Sequence, residues 1–248
     1  MTPRKASALT PTVADTAETE SESAPPKPHY HGHRERLRQR FLEAPGAAHD
    51  YEILELLLTA AIPRRDVKPI AKDMIARWGS FADVISADVT ELASFPGLSQ
   101  NSAVILKVVR EAALRLAKAP VTTQPVLSSW LDLLDYCSTA MATLKTEQFR
   151  LLFLDRKNML IRDELQQQGT VDHAPVYPRE VVKRALALNA SSVIMVHNHP
   201  TGDPTPSKAD IDMTRAVRDG LATVGIALHD HLVIGRKGHA SFKSLALL

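Results

Sequence analysis

The segment "VIMVHNHPTGDPTPSKAD", Val193 to Asp210, sets two histidines, a serine and an aspartate around a proline-rich stretch, behind an apolar run. His197 and His199 are two apart. On a strand, alternate side chains point to the same side, so both imidazoles can converge on one point. Imidazole nitrogen is a good zinc ligand. Pro200, Pro204 and Pro206, with Gly202, predict an irregular but stiff loop. Ser207 then opens a helix, and Asp210 falls in its first turn, from which the chain can swing back toward the histidines. Two His and one Asp leave the fourth tetrahedral position to water, the arrangement of catalytic rather than structural zinc. Water bound to zinc can lose a proton near neutral pH and become a nucleophile. Each piece also has a plain structural reading: Ser207-x-x-Asp210 is a good helix cap, and paired surface histidines are common. Their conjunction points to a metal.

The chain that must position these residues has 248 of them, enough for one large domain or two ordinary ones. It is 44% apolar and 23% charged, the composition of a soluble globular protein. No apolar run reaches membrane-spanning length, and the N-terminus lacks the apolar core of a secretory signal. Cys137 is the only cysteine, which rules out an intrachain disulfide and suits a reducing compartment. The expectation is a cytoplasmic protein with no membrane partner. A net charge of +2 is too mild to demand a polyanion.

Residues 1–28, rich in Thr, Ser, Ala, Glu and Pro, cannot bury enough surface to offset their ordering entropy and are expected to be a disordered tail. Residues 29–118 read as helical. "HGHRERLRQRFLEAP" is a basic helix, and "HDYEILELLLTAAIPRRDVKPIAKDMIARWG" is two helices broken at Pro63. The turn "FPGLSQ" leads into a helix from about Asn101 to Ala119. Helix, Pro-Gly turn and helix suggest a helix-hairpin-helix, which offers backbone amides to a DNA phosphate; a plain helical hairpin has the same shape. Residues 119–126 read as an interdomain linker. Residues 127–248 alternate helix and strand. "WLDLLDYCSTAMATL" is a helix, and "EQFRLLFLD" and "KNMLIRDELQQQG" form a hairpin. "PREVVKRALALNA" is a helix started by Pro178, and "SSVIMV" is a buried strand. After the loop come the helix "SKADIDMTRAVRDGLATVG", the strand "IALHDHLVIG" and a closing strand in "HASFKSLALL". The fold class is α+β, an all-α domain followed by a mixed sheet flanked by helices.

His-x-His, seven residues, Ser, two residues and Asp resembles the JAMM signature of MPN-type metalloproteases, met here by His197, His199, Ser207 and Asp210 without departure. The wider frame, "YPREVVKRALALNASSVIMV" before it and "DHLVIG…SFKSL" after it, is similar to the bacterial RadC family. So are "GHRERLRQRF", "YEILELLL", "IPRRDVKPIAK" and "FPGLS" in the helical half, so the resemblance spans roughly residues 31–248. It implies a zinc hydrolase acting on a peptide or isopeptide bond. Zn2+ would sit on His197, His199 and Asp210, Ser207 would support the oxyanion, and a Glu on a neighbouring strand would be the general base. Three glutamates compete for that role. Glu180 follows Pro178 in the first turn of a helix, where a carboxylate simply favours the helix dipole. Glu164 lies at a strand end. Glu147 opens the apolar strand "EQFRLLFLD" and matches the family's catalytic position. We take Glu147 as the base, with Glu164 open.

Several residues compete with this reading. His229 and His231 form a second His-x-His that, with the first, would make a closed four-histidine site; Asp230 and His231 read rather as supports. His173 lies in a strand–helix connection. His29, His31 and His33 precede Arg34, Arg36, Arg38 and Arg40, read as a solvated basic face. Cys137 reads as core. The rival functions are a DNA-binding protein and a nuclease acting in DNA repair, motivated by "FPGLS", "PRRD" and the arginine-rich helix.

Overall fold

The computed structural model describes residues 30–168 and 176–248. The expected disordered tail, His29 and His173 lie outside the described residues. Six α-helices come first: α1 (Tyr30–Glu43), α2 (Asp50–Ala61), α3 (Lys68–Trp78), α4 (Phe81–Ser86), α5 (Val89–Ala93) and α6 (Gln100–Thr123). Leu54 and Leu58 of α2, Met74 of α3, Leu92 of α5 and Leu106 of α6 interlock as their core. The break at Pro63 is closed by Arg34, which is buried, with its guanidinium on the carbonyls of Ile62, Pro63 and Arg65. The expected solvated basic face is therefore corrected at Arg34, while Arg36, Arg38 and Arg40 are exposed. In the turn between α5 and α6, Gly97 has φ +88°, and a side-chain carbon there would lie 2.8 Å from Ile70 Cδ1. Only glycine fits both demands.

The linker expected at 119–126 is largely helix. α6 continues through Pro120 to Thr123. Proline removes the helical donor that would bond the Leu116 carbonyl; beyond it, the hydroxyls of Thr122 and Thr123 both donate to the Ala119 carbonyl, at 2.9 and 3.0 Å. Val121 is wholly buried in the core of the second domain. Tertiary burial overrides the local breaker.

The second domain holds α7 (Trp130–Met141), β1 (Gln148–Leu154), β2 (Leu160–Gln168), α8 (Pro178–Ala187), β3 (Ser192–Asn198), α9 (Lys208–Ala222), β4 (Ala227–Gly235) and β5 (Gly238–Ser241). The sheet order is β2-β1-β3-β4-β5, with β3 and β4 parallel and the other neighbours antiparallel. The closing strand is shorter than expected. After Ser241 the chain turns back, with Leu245 N–H on Ser241 O, so Phe242 is buried while Leu245 is exposed. Helices cover both faces, which is why β3 is buried at every residue. Leu152, Leu154, Ile194 and Val196 meet α7 and the end of α6. Phe149, Leu151, Phe153, Val193 and Met195 meet α8 and α9. Period-two alternation therefore puts His197 on the α9 side.

The α7 face buries an ion cluster that joins four elements. The Asp163 side chain on β2 is fully enclosed; it accepts from Arg150 Nε and Nη2 on β1, both at 3.0 Å, from Lys118 Nζ on α6 at 3.1 Å, and from the Tyr136 hydroxyl on α7. Burial alone would raise the Asp163 carboxyl, but Arg150, Tyr136 and Lys118 outweigh it and hold it below the ordinary value. Burial, then the Asp163 charge, push the neighbouring Cys137 thiol up to about 12, as befits a core residue. Among the described residues, no helix is long and apolar enough to cross a membrane.

Candidate metal centre

β3 carries His197 inside the sheet and leaves it at Asn198, so His199 emerges just past the strand's end. The His199 N–H donates to Ile234 O at 2.9 Å, which keeps the extended path alongside β4. The loop then folds back tightly: Gly202 has φ +85°, and a side-chain carbon on Gly235 would sit 2.4 Å from Gly202 O. That approach needs glycine at 235. The loop's Asp203 carbonyl accepts from His199 Nδ1 at 2.9 Å. Ser207 caps α9 as expected. Its hydroxyl accepts from Asp210 N–H at 3.1 Å, and its own N–H donates to Asp210 Oδ2 at 2.7 Å. The Ser207 hydroxyl proton is engaged too, on Asp210 Oδ2 at 2.6 Å. The buried stripe of α9, Thr214, Val217 and Leu221, faces the sheet and brings Asp210, one turn above Thr214, over the histidines.

Among the described residues, His197, His199 and Asp210 are the group that could hold a metal ion, with ligand atoms all within 4.8 Å of one another. His197 Nε2 lies 3.0 Å from His199 Nε2 and 3.4 Å from Asp210 Oδ1, and His199 Nε2 lies 3.5 Å from Asp210 Oδ2. A tetrahedral ion with bonds of about 2.0–2.1 Å needs ligand atoms roughly 3.3–3.4 Å apart, close to these separations. The chemistry agrees with the spacing. A carbonyl can only accept, so His199 keeps its proton on Nδ1 for Asp203 and, when neutral, turns a bare Nε2 to the site. The Asp210 carboxylate is also an acceptor. Burial alone would raise the Asp210 carboxyl, but His199, His197 and Ser207 hold it well below the carboxylate range. Burial pushes His197 down to about 4, whereas the contact with Asp210 raises His199 against its own partial burial.

Glu147 immediately precedes β1, and Phe149, two residues on, pairs with His197 and stacks on its ring at 5.9 Å. By alternation Glu147 shares that face, and its charge helps to raise His199. Glu164 is elsewhere. It pairs with Leu151 on β1 and is held by Arg184, with Arg184 Nε donating at 2.8 Å. Glu180 is at the start of α8 beside Arg179 and Lys183.

The second His-x-His is split. The β3–β4 register pairs Val193 with Leu228 but Ile194 with Asp230, so His229 is an extra residue in a bulge. A bulge breaks the strict alternation of sides. His229 packs against Trp130 of α7. His231 is fully buried on the α9 side, with Nε2 2.8 Å from His197 Nδ1 and Nδ1 2.6 Å from Thr214 Oγ1. Asp230 accepts from the Ser241 hydroxyl and from the His231 and Lys243 N–H groups, bracing the strand end. Thr214 was not legible as a site residue: nothing in sequence marks a threonine one turn after Asp210, beyond its falling on the helix's inner stripe.

A mixed sheet with helices on both faces, carrying a His-His-Asp group from a strand end and a helix start, defines a JAB/MPN-type domain. Residues 127–247 match the family model for the RadC-like JAB domain. The second domain is thus a RadC-like JAB domain.

Proposed function

We propose that this chain is a zinc-dependent hydrolase of the JAMM type, cutting peptide or isopeptide bonds. The observation that carries the reading is the convergence of three acceptors, His197 Nε2, His199 Nε2 and Asp210, with Glu147 on the same face. Zinc held by these three would supply a Lewis acid and lower the pKa of a bound water to near 7. Glu147 accepts the proton of the attacking water and passes it to the leaving amine. Ser207 turns its hydroxyl from Asp210 toward the oxyanion that develops on the carbonyl. The test is metal content and peptide turnover for wild type, His197→Ala/His199→Ala and Glu147→Gln. We expect about one zinc per wild-type chain, none in the double variant, and a zinc-loaded Glu147→Gln with turnover lower by about 10²–10⁴-fold. A folded wild type that takes up no zinc overturns the metal reading. Full turnover by Glu147→Gln overturns the role of that residue.

A second reading, phosphodiester hydrolysis on DNA, has one observation in its favour. The Arg65 guanidinium lies against the Gly97 turn, 3.1 Å from where a side-chain carbon would be. This sets a cation of the "PRRD" corner beside the start of α6, where a phosphate could also meet helix amides. DNA binding by the full chain that weakens steeply with salt, and less steeply in Arg65→Ala, supports it; salt-independent or absent binding removes it.

A further inference from the structure

We propose that Thr214 and His231 are positioning residues that lock His197 in the one tautomer able to bind a metal. The inference rests on the zinc reading above, and it follows from counting protons along one buried chain of contacts. Thr214 Oγ1 lies 2.5 Å from the Asp210 carbonyl and 2.6 Å from His231 Nδ1. A hydroxyl has one proton and a carbonyl has none to give. The 2.5 Å contact therefore takes the Thr214 proton, since without it two oxygens would face each other with nothing between. Thr214 must then accept from His231, which places the His231 proton on Nδ1. His231 is completely buried, between the rings of Phe149 and Phe242, with Thr214 and His197 at its two nitrogens. In that setting it is neutral and carries one proton only. Its Nε2 is bare and accepts, at 2.8 Å, from His197 Nδ1. The proton of His197 is thereby fixed on Nδ1, and its Nε2 lone pair is turned to His199 and Asp210.

Without such a lock the opposite arrangement would be preferred in the metal-free protein. A proton on His197 Nε2 could donate to the Asp210 carboxylate 3.4 Å away, a charge-assisted bond. Thr214 forbids it, because reversing the chain leaves His231 Nδ1 and the Asp210 carbonyl competing for one hydroxyl proton. Asp210 supplies both ends of the device: its carboxylate faces the site, and its carbonyl, on the far side of the same helical turn, anchors the relay. Ligands and their tautomers are thus set together when α9 docks on the sheet.

The test uses the full-length protein with the isosteric variant Thr214→Val and the hydroxyl-retaining Thr214→Ser. Zinc affinity is read by competition with a chromophoric chelator, and imidazole tautomers of the metal-free proteins by nitrogen-15 NMR. Wild type and Thr214→Ser should hold the His197 and His231 protons on Nδ1 and bind zinc alike. Thr214→Val should shift the His197 proton toward Nε2 and weaken zinc binding by about 10–100-fold, the scale of losing an outer-shell partner. Thr214→Val with unchanged tautomers, or with affinity within about threefold of wild type, overturns the proposal. Loss of affinity in Thr214→Ser as well as Thr214→Val, with tautomers unchanged, would mean a packing role and also overturns it. If wild type binds no zinc, the metal reading fails, while the tautomer spectra still decide the relay.

Discussion

The two faces of the central strands each bury a polar cluster, and the clusters balance their protons in opposite ways. On the α7 face Asp163, an acceptor, is met by donors from Arg150, Lys118 and Tyr136. On the α9 face His197 Nε2 and His199 Nε2 turn to Asp210, whose Oδ2 accepts from the Ser207 N–H and hydroxyl; the Nδ1 of His199 donates away from the site to Asp203, and on the relay proposed above that of His197 donates to His231. The first cluster is complete as folded. The second, on the zinc reading proposed above, is completed by a cation. A buried carboxylate surrounded by its own donors reads as architecture; a convergence of lone pairs reads as a site.

The contrast can be broken most decisively at Asp163. Asp163→Asn removes the charge that Arg150 and Lys118 compensate and should cost about 3–5 kcal/mol, the range for splitting a buried pair, in a denaturant melt. Its zinc uptake should equal that of wild type. A variant that keeps its stability, or loses zinc, would show that the two faces are not separate in function. The sign with pH follows from the direction of the shift. The folded Asp163 carboxyl lies below its unfolded value, so its contribution is present above that value and fades as pH falls through the folded one. Wild type should therefore lose more stability than Asp163→Asn on acidification below about pH 4. A smaller effect sharpens the other side. Zinc at about a hundred times its dissociation constant should stabilise wild type by about 2.7 kcal/mol and leave His197→Ala/His199→Ala unmoved, as read by thermal melts with and without the ion.

The three candidate metal ligands could be picked out because their pattern is local: a strand end, a stiff loop and a helix start within fourteen residues. The α+β class and nearly all elements followed from periodicity and turn residues for the same reason. The proposed base was harder. The sequence favoured Glu147 but left Glu164 open; the register pairs Glu164 with Leu151, where Arg184 holds it, whereas the charge of Glu147 acts on His199. His231 was read as a support, but its contact with His197 was not legible, because a bulge at His229 decides which histidine faces inward and no residue type announces that bulge. Asp163 was hidden because its partners come from three other elements. Pro120 misled, since a proline's local cost is visible in sequence while the burial of Val121 that offsets it is not.

The helix that runs past Pro120 also bears on where one unit of this protein stops and the next starts. At 24 residues it is about 36 Å long, with Ala103 and Leu106 sunk in one core and Val121 in the other. The family match begins at residue 127, yet Val121 and Val126, both wholly enclosed, already belong to the packing of the sheet. The stretch recognisable as a module is therefore shorter than the stretch that packs into one core. A fragment cut where the resemblance starts would leave part of its own interior behind, on the piece thrown away.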